Sequence, residues 1–238
     1  MIDVLSRLAE QLLQNSLLEL IAVVFAIAYL VLAVRENSLC WYAAGISTLI
    51  FLFIFWDVKL YMESGLQTYY LAMAFYGWYQ WRDANCETAS LQVSKWSARQ
   101  HLKALALIAI LTFASGSLLN SGTDASLPYL DSFTTWASVV TTFMVARKVL
   151  ENWIYWLVID SVSIYLYIDR ELYFTSLLFA IYIAIIFFGW FSWSKSYRQR
   201  EELMSIGFVD CASPATRNLL SLFLRPFRSE RSTRKNRS

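Results

Sequence analysis

The sequence predicts an all-α integral membrane protein with seven transmembrane helices, and three observations carry that prediction. Hydrophobic residues fill 58% of the 238 positions and charged residues only 16%, against about 25% charged in a soluble domain. Apolar runs recur between short polar breaks, and about 17–25 such residues cross a bilayer as a helix. Three Pro and seven Gly leave few breakers, and the runs lack the two-residue alternation of a membrane barrel.

The elements follow in order. Residues 1–16, "MIDVLSRLAEQLLQNS", carry Asp3, Arg7 and Glu10 in place of the basic start of a signal peptide. Val4, Leu5, Leu8 and Leu12 fall at helical spacing, which reads as an amphipathic helix on the membrane surface. Spans are expected at 17–34, 41–56, 66–82, 102–119, 132–149, 152–168 and 172–193. Trp41, Trp56, Trp81, Trp153 and Trp193 lie near span ends, where an aromatic belt would place them. Residues 194–238 read as a basic tail, with six basic residues against one acidic from Arg225 onward. Such a tail attracts anionic headgroups or stays solvated.

Basic residues orient the spans. Arg35, the group from Arg82 to Lys103, the Arg147–Lys148 pair and the tail share one side; Arg7, Lys59 and Arg170 face the other. The positive-inside rule then puts the N-terminus outside and the C-terminus in the cytoplasm.

A shift of 112 residues aligns 19–81 with 131–193 without a gap. "YGWYQW" (76–81) falls on "FGWFSW" (188–193), Arg35 on Arg147, Trp41 on Trp153, Asp57 on Asp169 and Tyr70 on Tyr182. Matches that cluster on Trp, Tyr, Gly and charge are not chance apolar similarity. The units 17–82 and 132–193 hold three spans each, and the helix at 102–119 within 83–131 restores their direction. The expected plan is 3+1+3, with parallel repeats about an axis along the membrane normal. Transporters so built hold substrate near the midplane between the repeats.

Asp160 is the candidate centre. Trp153, Trp156 and Asp160 stand at i, i+3 and i+7 on one helical face. A mid-span carboxylate costs about 2.5–3.5 kcal/mol and turns to the protein interior. A permanent organic cation against tryptophan would offset that cost, each cation–π contact adding about 0.5–2 kcal/mol. The competing role is a hydrogen bond from Asp160 to Ser, Thr or Tyr across a helix interface. Gln67 could read an amide or hydroxyl, while Tyr70 and Tyr182 need buried partners for their phenols. Gly77 and Gly189, beside Trp78 and Trp190, suit close helix packing. Glu19 and Asp131 open spans one and five, where a helix dipole favours them.

Other classes fall away. Cys40, Cys86 and Cys211 share no ligand spacing, so neither a metal site nor a disulfide framework is expected, and no cofactor is called for. His101, the one histidine, reads as a solvated interfacial residue. No catalytic triad, phosphate-cradling glycine loop or paired intramembrane aspartates can be assembled, so an enzyme is not expected. A membrane sensor or scaffold would need an output domain, and the inner loops are short.

"RKVLENWIYWLVID" (147–160), with the paired "GWYQW" and "GWFSW" motifs, resembles the PnuC family of vitamin transporters. The resemblance runs from about Glu19 to Trp193. It implies a SWEET-like 3+1+3 fold, a homotrimer in the bacterial inner membrane, and no nucleic-acid partner. It also implies facilitated diffusion of nicotinamide riboside, trapped by a cytoplasmic kinase, with related branches carrying thiamine, riboflavin or deoxynucleosides. The family's substrate-flanking Trp-x-x-Trp falls on Trp153 and Trp156, its third-span glutamine on Gln67, and Asn152 belongs to the same motif. Two positions depart from the nicotinamide riboside pattern, Asp160 and Ala74 each standing where it has asparagine. A carboxylate at 160 would suit thiamine, the alternative cation.

Overall fold

The computed structural model describes residues 17–57, 61–82, 91–122, 127–169 and 173–205. They form seven helices: α1 (Leu17–Val34), α2 (Cys40–Asp57), α3 (Tyr61–Trp81), α4 (Ala98–Gly122), α5 (Pro128–Ala146), α6 (Asn152–Asp169) and α7 (Tyr173–Ser205). The surface helix expected at 1–16 and the tail from 206 onward lie outside the described residues. A compact unit ends at Gln199.

Each expected span is a helix, with boundaries moved by local chemistry. α4 starts at Ala98 because Gln100 reaches back to accept from both the N–H and the hydroxyl of Ser97, at 2.8 and 2.9 Å, as in a capping box. α5 stops at Ala146, three residues before the expected end. α7 runs twelve residues past Trp193 into the expected tail, because "SKSYRQREELMS" (194–205) has no Gly or Pro to break it.

Four helices are long and apolar enough to cross a membrane by composition alone: α1, α2, α4 and α7. The other three, α3, α5 and α6, carry a higher proportion of Ser, Thr, Tyr and acidic positions. α3 and α6 both pack against α5, so these polar helices sit together.

Four tryptophans form the core at one end of the bundle. Trp41 and Trp81 meet edge-to-face at 5.5 Å and 87°, and Trp153 and Trp193 do the same at 5.3 Å and 87°. Trp81 and Trp193 join the two pairs at 5.8 Å. A methyl at Gly77 would overlap the Trp41 ring, and one at Gly189 would overlap the Trp153 ring. The two glycines thus serve packing, as their sequence context suggests. These tryptophans were expected in an interfacial belt, yet all four are at most 4% exposed. The reason is mutual: each ring enters a notch that a glycine or another ring provides. Trp56, 62% exposed, is the one of the five that faces outward.

The bonds across this layer are reciprocal. The Trp81 indole N–H donates to the Ala146 carbonyl at the end of α5, 3.1 Å, and the Trp193 N–H donates to the Ala33 carbonyl at the end of α1, 3.0 Å. Both α1 and α5 finish in the same turn. Glu36 N–H bonds Ala33 O and Asn37 N–H bonds Leu32 O; Lys148 N–H bonds Val145 O and Val149 N–H bonds Met144 O. That pairing is the Schellman motif, whose C′ residue is left-handed, and Glu36 and Lys148 have φ of 54° and 50°. The turn bonds therefore match at a shift of 112, while the two indole acceptors, Ala33 and Ala146, stand one residue off it.

A strap, residues 91–97, crosses the second of these turns. Ser94 N–H bonds Lys148 O and Leu150 N–H bonds Ser94 O, at 3.0 and 2.8 Å, while Trp96 N–H bonds a Glu151 carboxylate oxygen at 3.3 Å. Val93 of the strap is buried against the tryptophan cluster.

Candidate functional site

Asp160 lies on α6, seven residues beyond Trp153 and hence about 10 Å along the helix from the tryptophan layer. It is 3% exposed. Tyr70 of α3 and Tyr182 of α7 both lie within electrostatic reach of its carboxyl, and the Tyr70 phenol is hydrogen-bonded to the Ser138 hydroxyl of α5. Among the described residues no cationic side chain lies against Asp160. A buried carboxyl within electrostatic reach of phenols, with no cationic side chain against it among the described residues, can receive a cation or donor groups from a ligand.

Aromatic rings extend this region. Phe179 contacts Tyr182 at 5.5 Å and Tyr167 at 5.2 Å, and Tyr69 contacts Tyr70 at 5.7 Å. Tyr69 also donates to the Val139 carbonyl of α5 at 2.8 Å, pinning α3 to α5. Tyr70, Tyr182, Gln67 and Trp156 are half-buried. Trp156 packs against both the tryptophan cluster and a smaller one around Ile108, Ala137 and Ile159.

The motif residues nearer the tryptophan layer are fully enclosed. Trp153 is 2% exposed, between Gly189 and Trp193, with an indole N–H that has no partner among the described residues. Asn152 is fully buried; its amide N–H donates to the Val149 carbonyl at 2.6 Å and its side-chain oxygen has no partner among the described residues. The structure therefore places Tyr70 and Tyr182 within electrostatic reach of Asp160, while Trp153 and Asn152 are buried nearer the tryptophan layer. Ala74, 4% exposed, also packs in the tryptophan cluster.

Sequence reasoning missed two parts. Ser138, the Tyr70 partner, looks like any small residue in a helix. His101, expected in solvent, is half-buried: its Nδ1 meets the Tyr155 hydroxyl at 3.0 Å, and its ring contacts Tyr155 and Trp96 at 5.8 and 5.7 Å. A histidine in the first turn of α4 can be drawn in only by a partner on another helix, which the local sequence does not name.

Seven described helices, four of them apolar enough to cross a membrane, around a buried carboxyl fit a polytopic membrane protein, and the family comparison makes it a transporter. The family model described as "Nicotinamide mononucleotide transporter" matches residues 16–195, and the chain belongs to that family. It is a multi-pass protein of the bacterial inner membrane, a carrier and not an enzyme. "Nicotinamide riboside transporter PnuC" of Escherichia coli is 26% identical over 210 residues, covering 78% of this chain and 88% of that one. "Riboflavin/roseoflavin transporter RibM" of Streptomyces davaonensis is also 26% identical, over 180 residues, covering 74% of this chain and 83% of that one. A solved structure of the vitamin B3 transporter PnuC superposes with a TM-score of 0.64 at 23% identity, covering 82% of this chain and 90% of that one. That likeness establishes the shared fold.

Proposed function

We propose that this protein takes up nicotinamide riboside by facilitated diffusion, with the substrate held between Asp160, Tyr70, Tyr182 and Trp156. The observation that carries the reading is the Asp160 carboxyl, buried, with phenols in reach and no cationic side chain against it among the described residues. A permanently cationic pyridinium ring supplies the missing charge and stacks on aromatic faces. A neutral isoalloxazine supplies no such charge, so the equal identity to the riboflavin carrier does not weigh equally. Gln67 serves the substrate's polar rim, and Trp153 with Asn152 forms the floor beneath it. Thiamine is the second reading. It too is an aromatic cation, and the carboxylate at 160 with Ala74 in place of an amide favours it.

The reading includes a 3+1+3 arrangement of parallel repeats, SWEET-like, with the N-terminus outside and the tryptophan layer toward the cytoplasm. Its support is the set of reciprocal indole bonds and matched turns 112 residues apart, together with the one-sided distribution of Arg and Lys. A homotrimer and a cytoplasmic kinase that traps the product complete the proposal.

Calorimetric titration of the purified protein with nicotinamide riboside and thiamine, side by side, tests it. Saturable binding of the riboside, lost in Asp160→Ala and Trp156→Ala while assembly persists, is the expected outcome. Binding of thiamine alone transfers the proposal to the second vitamin. Normal binding by both variants removes the site.

A further inference from the structure

We propose that Glu36 and Lys148 form a latch that holds the tryptophan end of the bundle shut, and that this end opens when the pair parts. The proposal rests on the transporter reading above, because a carrier must release substrate past one end of its site.

Lys148 Nζ stands 3.1 Å from Glu36 Oε2, with side chains 10% and 22% exposed. The two residues are 112 apart, so each occupies the other's position in the repeat. Each is also the C′ residue of a Schellman turn, at φ of 54° and 50°. Glycine is the usual residue there, and a side chain costs roughly 1–2 kcal/mol. Strain at two matching positions persists where the surroundings demand it, and what these two share is the ion pair. The ammonium also lies 4.7 Å from the centre of the Trp81 ring. One charge pair thus joins the end of α1 to the turn after α5 and rests on the tryptophan layer.

The chemistry suits a contact that must break and reform. Desolvation largely offsets the attraction of a buried pair, so parting returns hydration to both ions. Moving a tryptophan out to water has no such compensation. The indole bonds to Ala33 and Ala146 align the halves, and the ion pair decides whether they stay closed.

Cys40 supplies the reporter. It is the first residue of α2, is fully buried, and lies within electrostatic reach of Lys148. The experiment uses the full chain with Cys86→Ser and Cys211→Ser, purified in detergent without substrate. It compares the rate at which a small methanethiosulfonate reagent modifies Cys40 in this parent, in Glu36→Gln, in Lys148→Met, and in the exchange Glu36→Lys with Lys148→Glu. The single variants are expected to react about fivefold faster or more, the low end of a typical coupling between sites. The exchange is expected to return to the parent's rate, because the repeat places Trp193 where Trp81 was and a lysine at 36 regains both partners. Single variants that react at the parent's rate overturn the latch, as does an exchange that reacts as fast as they do. Thermal unfolding followed by tryptophan fluorescence accompanies each rate. A fast rate counts toward the latch only in a variant that melts with the parent, and if neither single variant does, the exchange decides: a parent-like rate and melt support the latch, and anything else overturns it. If the latch behaves as expected while neither vitamin binds, the substrate reading fails alone.

Discussion

At the tryptophan layer the two halves of the chain are nearly the same; about 10 Å away, beside Asp160, they are not. Trp41 and Trp153, Trp81 and Trp193, and Gly77 and Gly189 are repeat mates with matching contacts. Around the site, Asp160 has Thr48 as its mate, Trp156 has Ala44 and Gln67 has Phe179; only Tyr70 and Tyr182 agree. The contrast separates two tasks. Where the halves grip each other, identical surfaces satisfy one another. On the proposed reading of the site, a single ligand without two-fold symmetry needs unlike walls, and the side chains there differ.

The comparison can be broken at its strong end. Trp193→Ala removes a fully buried ring with three partners: Trp81, Trp153 and the Ala33 carbonyl. It is expected to cost about 3–5 kcal/mol, seen as a large fall in melting temperature in detergent. Trp56→Ala, at an exposed ring, should change it little. Equal effects would mean that the tetrad is not the core.

Asp160→Asn tests the other end and should act in the opposite direction. It is expected to raise the melting temperature of the empty protein, since it replaces a buried carboxyl that has no cationic side chain against it among the described residues. The same change should weaken binding of an aromatic cation about tenfold or more, which is about 1.4 kcal/mol. Parallel melts and titrations of one preparation check both signs. A variant that is destabilised yet binds normally would make Asp160 a structural residue.

The smallest effect separates the two tyrosines that the repeat makes equivalent. Tyr70→Phe loses the bond with Ser138 and should cost about 1 kcal/mol of stability. Tyr182→Phe should leave stability closer to wild type and show its effect in ligand affinity. Identical behaviour of the two variants would mean that the site is symmetric after all.

Much of this was legible in the residues. Apolar runs between polar breaks placed the seven described helices, although only four of them are apolar enough to cross a membrane by composition alone. The 112-residue repeat was visible because tryptophan and glycine are rare enough for coincidence to stand out. Asp160 drew attention because a charge inside an apolar run has a known cost. Local rules failed at the ends: "RKV" does not announce a left-handed lysine, since that conformation is usually marked by glycine.

The sequence by itself determined the membrane class, the helices, the repeat and the one deep carboxylate, because each is a property of a single segment or of two segments compared. Only the tertiary structure decided that four tryptophans face one another and not the lipid. It alone paired Glu36 with Lys148, drew His101 onto Tyr155, and placed Tyr70 and Tyr182 within electrostatic reach of Asp160. Those are contacts between helices far apart in the chain, and a residue's own neighbours in sequence do not encode which distant face it will meet.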